Sequence, residues 1–208
     1  MSEGSARDSE IVTIAGHLLC AVPQLLDPNF HRSIVFMLEH SEEGALGIVL
    51  NDPMPTSVAD VTRGLGLQWL GDPDDLMRHG GPVEPARGWI FNDQNDWDPD
   101  AETIAPGLNL TTSLVHLKAP GGPRFGDGGR FIFVLGYAGW GAAQLEAEIA
   151  TGSWVLVPIQ GVSDDKAGVT IDWLFETDPV LMWDQALRAI GIDPSRLVGM
   201  QGRASVLQ

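Results

Sequence analysis

Residues 33–50, SIVFMLEHSEEGALGIVL, contain two short apolar runs on either side of a turn. Each run has the length of a buried strand, and the Glu-Glu-Gly at 42–44 between them is typical of a turn. The pattern predicts a β-hairpin at the centre of a sheet, with strands at 33–39 and 45–50.

The rest of the chain supplies further strands and a few helices in irregular alternation. A regular strand–helix–strand repeat is absent, which argues against a doubly wound parallel sheet. We therefore expect an α+β fold with a mostly antiparallel or mixed sheet. The other predicted strands lie at 11–19, 76–79, 89–92, 108–111, 130–137 and 154–159, and the predicted helices at 56–64, 113–119, 139–150 and 178–190.

Length and composition predict one domain in the cytoplasm. The chain has 208 residues, and no apolar stretch approaches the roughly 18 residues that span a bilayer. Residues 1–10 are polar and lack the pattern of a signal peptide, so we expect a disordered lead-in, a single domain at 11–198 and a flexible tail at 199–208. Cys20 is the only cysteine, which fits a reducing compartment. A buried, structural thiol is favoured over a reactive one.

The net charge of −16 restricts the classes of partner. Nucleic acids and anionic membranes are bound largely through Lys and Arg, and this chain has only 12 of them, scattered along its length. We therefore expect neither direct nucleic-acid binding nor membrane binding. The acidity fits small molecules or basic partners, or serves solubility alone. We expect a monomer or a weak homodimer.

Most motifs of known catalytic and cofactor sites are absent. The chain has no phosphate-binding G-x-x-x-x-G-K-[ST], no G-x-S-x-G and no H-E-x-x-H. Asp96, Asp98 and Asp100 have the spacing of a calcium loop, but Ala101 and Gly107 stand where that loop needs Gly and Glu. We expect no metal and no cofactor.

Three blocks carry more polar and small residues than packing needs. The first, GHLLCAVPQLLDPNFHRSIVFMLEH at 16–40, places Arg32 before the first hairpin strand and Glu39 and His40 after it. On a regular strand Arg32 and His40 would point to one face, where Arg32 could bind a carboxylate or phosphate and His40 could transfer a proton. Alternatively, Arg32 and Glu39 are structural ion-pair partners.

The second block is HGGPVEP at 79–85, and the third is GYAGWGAAQLEAEI at 136–149. Gly80 and Gly81 can form an anion-binding nest or a plain tight turn. On a helix Trp140, Gln144 and Glu148 would form one stripe, which either lines a cleft or is the edge of an amphipathic helix.

The order and spacing of these blocks resemble those of the bacterial YqgE/AlgH family over about residues 10–200. The resemblance implies a strongly bent sheet, folded towards a pseudo-barrel with helices packed outside. It also marks Asn51, at the end of the hairpin, as a signature position with the block residues. The family has no established chemistry, and its members are often labelled transcriptional regulators.

Two functional hypotheses follow. The first is a regulatory or adaptor-like protein that binds a small ligand or protein partner in one cleft formed by the three blocks, with any transcriptional role indirect. The second is a hydrolase or acyl-transfer enzyme that uses the Gly-Gly turn with Arg32, His40 and Glu148. The candidate site residues are Arg32, Glu39, His40, Asn51, Gly80, Gly81, Trp140, Gln144 and Glu148.

Overall fold

The predicted hairpin is confirmed and lies at the middle of the sheet. In a computed structural model, β2 (Ile34–Ser41) pairs antiparallel with β3 (Gly44–Val49). The structure describes residues 13–25, 27–95, 98–112, 127–163 and 166–199. The main path of the sheet runs β10-β1-β2-β3-β9-β6-β8-β7, with β4 and β5 joined beside β9.

The described residues form ten strands, five α-helices and one short 3-10 helix. The other strands are β1 (Leu18–Ala21), β4 (Pro53–Ser57), β5 (Leu76–His79), β6 (Val83–Asn92), β7 (Glu102–Ala105), β8 (Leu108–Thr111), β9 (Phe131–Gly141) and β10 (Trp154–Val157). The helices are the 3-10 turn Pro28–Phe30, α1 (Val58–Gly64), α2 (Gln144–Ala150), α3 (Ile171–Glu176), α4 (Pro179–Ala189) and α5 (Pro194–Gly199).

Strand β9 changes partners along its length, and this curls the sheet. Residues 131–137 pair antiparallel with β6, and within them residues 134–135 also pair in parallel with β5. Residues 138–141 pair with β3 instead. Gly136, two residues before the change of partner, has a φ of 78°, which glycine adopts readily. The result is an α+β domain with a curled, mainly antiparallel sheet that forms a half-barrel.

Helices cover both faces of this sheet. The largest core lies between the sheet and helices α3 and α4, which contribute Leu174, Met182 and Leu187. On the opposite face, α2 covers a second core through Leu145. Helix α1 covers a third, smaller core against β5, β6 and β9. Among the described residues, no helix is both long and apolar enough to cross a membrane.

Several predicted boundaries are confirmed because local chemistry fixes them. Ser57 caps α1 by accepting a hydrogen bond from the backbone N–H of Asp60. Asp178 caps α4 by accepting from Val180, and Pro179 opens the helix.

Other predictions of local structure are wrong. The helix predicted at 139–150 begins only at Gln144, because β9 continues to Gly141 through its pairing with β3. Strand β6 begins inside the second block, and strands β4 and β7 and helices α3 and α5 were not expected. The lead-in at 1–10, the helix at 113–119 and residues 200–208 of the predicted tail lie outside the described residues.

Candidate functional site

Arg32 lies in the loop before β2 with a backbone that its residue type rarely adopts. Its φ is 52°, in the left-handed region, which costs a non-glycine residue about 1–2 kcal/mol. Asn51 fixes this loop from the end of β3: its Nδ2 donates to the carbonyl of Arg32 at 2.9 Å. Its Oδ1 accepts from the N–H of Ile34 at 2.7 Å. Backbone strain of this kind clusters where a side chain is held for a purpose.

Among the described residues, the Arg32 side chain has no ionic partner. Its guanidinium carbon lies 5.1 Å from the centroid of the Trp183 ring, a cation–π contact. Trp183 is itself fixed, because it is buried and its indole N–H donates to the carbonyl of Ala21 at 2.8 Å. No described carboxylate forms an ion pair with Arg32, which is exposed. The guanidinium therefore faces solvent rather than a described carboxylate.

These residues lie in a cleft of about 660 Å³, which we call the Arg32 cleft. Arg188 also lines it, but Arg188 is already bonded to Asp184, with Nε 2.6 Å from a carboxylate oxygen. A guanidinium on an aromatic face can bind a carboxylate or a phosphate through two parallel hydrogen bonds. The lining residues are His31, Arg32, Asn51, Val180, Trp183, Asp184, Arg188, Pro194 and Ser195.

Glu148 and Gln144 belong to a different, structural network. One oxygen of Glu148 accepts from the indole N–H of Trp140 at 3.0 Å and from that of Trp154 at 2.8 Å. Its other oxygen accepts from the Gln144 amide at 3.0 Å, and the Gln144 carbonyl in turn accepts from the N–H of Gly141. Trp140 lies on β9, so the single helical stripe that was predicted is wrong. The three side chains do meet, but they join α2 to the sheet.

His40 does not share a face with Arg32, and that prediction is also wrong. The pairing of β2 with β3 shifts between Met37 and Glu39, which is a β-bulge. A bulge inserts one residue and moves the following side chains to the other face. The His40 side chain, only 3% exposed, lies beneath α2, with its Nε2 3.2 Å from a carboxylate oxygen of Glu146. The contact lacks hydrogen-bond geometry, so neither ring nitrogen of His40 is hydrogen-bonded to a described residue.

The Gly-Gly turn is a point of close packing. The N–H of Gly80 donates to the carbonyl of Leu135 at 2.7 Å, so this donor is not free for an anion. A β-carbon on Gly81, whose φ is 142°, would lie 2.3 Å from the carbonyl carbon of Tyr137. Glycine is needed at both positions because the chain crosses β9 here.

Glu39 lines a separate cavity of about 430 Å³, together with Arg87 and Glu102. Of the nine candidate residues, the structure therefore brings Arg32 and Asn51 together in one cleft. It places Glu39 in another cavity and the remaining side chains in packing roles. The one cleft formed by all three blocks is not observed among the described residues.

Sequence reasoning missed Trp183 as a site residue. The helical spacing of Trp183, on the helix predicted at 178–190, assigns it to the core, which is correct for most of the ring. That spacing does not show that one face of the ring contacts Arg32. Within the described part of the chain, no group of three or more His, Cys, Asp or Glu side chains is arranged to hold a metal ion.

Comparisons with known proteins identify the family and agree with the fold. A sequence profile of the family described as AlgH-like matches residues 18–195. A UPF0301 protein of Myxococcus xanthus is 40% identical over 192 residues, covering 91% of this chain and 97% of the relative. A UPF0301 protein of Anaeromyxobacter sp. (strain K) is 39% identical over 196 residues, covering 91% and 94% respectively.

Two solved structures have a similar fold. The solution structure of the AlgH protein from Pseudomonas aeruginosa matches with a TM-score of 0.64 and 28% identity, over 95% of this chain and 97% of that one. A crystal structure of a Corynebacterium diphtheriae protein matches with a TM-score of 0.59 and 20% identity, over 88% and 90%. The second likeness concerns the fold alone.

Proposed function

The chain belongs to the AlgH-like family, and we propose that it is a regulatory or adaptor-like protein of the cytoplasm that binds an anionic ligand in the Arg32 cleft. The observation that carries the proposal is Arg32 itself. Asn51 holds it in a strained backbone conformation, Trp183 supports its guanidinium, and no described carboxylate pairs with it.

The cleft limits the chemistry of the ligand. No described carboxylate pairs with Arg32, although 28 Asp and Glu side chains outnumber 12 Lys and Arg in this chain. Its fork geometry suits a carboxylate or a phosphate, and a volume of about 660 Å³ has room for a small metabolite. An acidic side chain of a protein partner offers the same group, so the experiment must distinguish the two.

A thermal-shift screen against carboxylates, phosphates and nucleotides tests this proposal. A ligand at about 100 times its Kd should stabilise the native state by roughly 2.7 kcal/mol. Arg32→Gln should abolish the shift, and Arg32→Lys should weaken it because Lys keeps the charge but loses the fork. Arg63→Gln is the matched control, since Arg63 is exposed and pairs with Asp60 on α1.

The outcomes separate the versions of the proposal. A shift that depends on Arg32 supports a small-ligand site. If no small anion produces a shift but Arg32→Gln abolishes capture of an acidic protein partner, the adaptor form remains. A shift that survives Arg32→Gln places the ligand elsewhere and contradicts the assignment of the cleft.

The enzymatic alternative has less support. It needs the Gly-Gly donors, Arg32, His40 and Glu148 around one substrate. In the described structure Gly80 donates to β9, His40 is on the opposite face from Arg32, and both oxygens of Glu148 accept hydrogen bonds. We therefore favour binding over acyl transfer.

Any role in transcription would be indirect under this proposal. The net charge of −16 repels the phosphate backbone, and specific DNA binding relies on neutralising phosphates with Lys and Arg. Short DNA and RNA duplexes in the same screen should produce no stabilisation at low salt. Salt-dependent stabilisation by either would contradict this part of the proposal.

A further inference from the structure

Another cavity, of about 540 Å³, is lined by Pro179 and Val180 at the start of α4 and shares Val180 with the Arg32 cleft. Its lining combines three kinds of group: one guanidinium, several carboxylates and three aromatic rings. We call it the Arg78 cavity. The charged lining residues are Arg78, Asp74, Asp75, Glu176 and Asp178, and the aromatic ones are Phe131, Phe133 and Phe175.

Arg78 is a charged residue inside a strand, and it turns away from the core that its neighbour Met77 joins. Its Nη1 donates to the carbonyl of Leu50 at 2.6 Å and lies 3.9 Å from the sulfur of Met182. Its other guanidinium nitrogens form no hydrogen bond with a described residue, and no described carboxylate forms an ion pair with it. Burial lowers the pKa of Arg78 to about 10, although the charges of Asp75 and Asp178 act in the opposite direction.

The carboxylates of the cavity are also incompletely compensated. Burial raises the pKa of Asp75 above its ordinary value, and the charge of Asp72 adds to the rise. Glu176 is paired with Arg130, whereas Asp74, Asp75 and Asp178 form no ion pair with a described residue. The cavity thus presents, within one space, a cation and carboxylates that form no ion pair with a described residue.

A simple anion on Arg78 would be repelled by the surrounding carboxylates, and a simple cation on the carboxylates would leave Arg78 without a counter-ion. A ligand with one anionic and one cationic group can pair with both, and an apolar side chain would lie against the aromatic rings. We propose that the Arg78 cavity binds a free amino acid with an apolar side chain, its carboxylate on Arg78 and its ammonium on Asp178 and Asp75. This site is separate from the anion site proposed at Arg32.

Isothermal titration with L-phenylalanine and L-leucine tests the proposal on the full chain. N-acetyl-L-phenylalanine lacks the ammonium and L-phenylalaninamide lacks the carboxylate, so each removes one of the two charges. Because a hydrogen bond to a charged group contributes about 1.5–3 kcal/mol, each analogue should bind about 10 to 100 times more weakly than L-phenylalanine.

The variants locate the binding. Asp178→Asn should weaken binding of L-phenylalanine about tenfold or more while preserving the fold, because Asn caps a helix as well as Asp does. Arg78→Gln should weaken it by a similar factor. Glu43→Gln, an exposed change in the β2–β3 turn, is the control for net charge, and Arg32→Gln should leave this binding unchanged.

Three results would overturn the proposal. The first is the absence of saturable binding of both amino acids at millimolar concentration. The second is equal binding of either blocked analogue, which would leave a site for a simple anion or a simple cation. The third is binding that persists in Asp178→Asn but disappears in Arg32→Gln, which would place the amino acid in the other cleft.

Discussion

Replacing Glu148 with alanine should destabilise the fold severely, although the residue was a candidate for catalysis. Glu148 accepts three hydrogen bonds, two of them from the indole N–H groups of Trp140 and Trp154, which are 6% and 4% exposed. A buried donor left without an acceptor costs about 1–3 kcal/mol. Two such donors, with some relief from water at the half-exposed helix, give a loss of about 3 kcal/mol in the free energy of unfolding.

Urea denaturation followed by circular dichroism measures this loss without relying on tryptophan fluorescence, which the variant itself alters. In a chain of this size, about 3 kcal/mol corresponds to a fall in Tm of roughly 6–12 °C. Glu148→Gln retains one acceptor oxygen but brings an amide donor towards the indoles, so it should lose about 1.5 kcal/mol.

Glu43→Gln is the matched control, because it removes one charge from an exposed turn and should change stability by less than about 0.5 kcal/mol. If Glu148→Ala loses no more than this control, the hydrogen bonds to the two indoles do not stabilise the fold. Glu148 would then again be available as a group that acts on a ligand.

Four further predictions follow from single residues. Asn51→Ala should lower the free energy of unfolding by about 1–3 kcal/mol in urea denaturation, because two backbone groups lose their partner. It should also weaken ligand binding in the Arg32 cleft, and unchanged binding would show that the site does not depend on the loop conformation that Asn51 holds. Gly81→Ala should prevent normal folding, because at its φ of 142° a β-carbon would overlap the backbone of Tyr137. Gly107→Ala, at a φ of 83° with open space around it, should lower the free energy of unfolding by only about 1 kcal/mol, and equal losses would contradict the close packing on β9. Burial raises the pKa of the Cys20 thiol above its ordinary range, so a thiol reagent at pH 8 should label Cys20 only as fast as the protein unfolds, and rapid labelling of the native state would refute its burial. Burial raises the pKa of Asp93, but hydrogen bonds from side chains and backbone outweigh it, so the pKa lies below its usual value. The stabilisation from Asp93 is complete above the unfolded pKa of about 3.9 and is lost as the pH falls through the folded value. Asp93→Asn should therefore reduce the fall in the free energy of unfolding at acid pH, and an unchanged pH profile would contradict this.

The sheet could be predicted where apolar runs and turn residues agree. Residues 33–50 carry both signals, and the hairpin forms as expected. The helix at 139–150 could not be bounded, because small residues such as Gly139 and Gly141 suit a helix entry and a strand equally well. Pairing of β9 with β3 decides the outcome, and that contact is between residues about 90 positions apart.

The candidate site was harder to predict because side-chain partners come from distant segments. A bulge in β2 sends His40 to the face opposite Arg32, and a regular two-residue alternation cannot show this. Glu148 has the residue type of a general base, yet its partners are two indoles. Arg32 was identified by its own chemistry, whereas Trp183, which supports it, comes from a helix about 150 residues away.

If the cleft binds anions, the guanidinium of Arg32 is the group that receives them. Titration of the ¹⁵N-labelled protein with inorganic phosphate and with citrate, at constant ionic strength, reports on this contact through the Nε–Hε signal of Arg32 and the indole signal of Trp183. We predict saturable movement of both signals with at least one of these anions, and its loss in Arg32→Gln. If neither signal moves, or if both move without saturation as at any exposed arginine, the Arg32 cleft is not an anion-binding site.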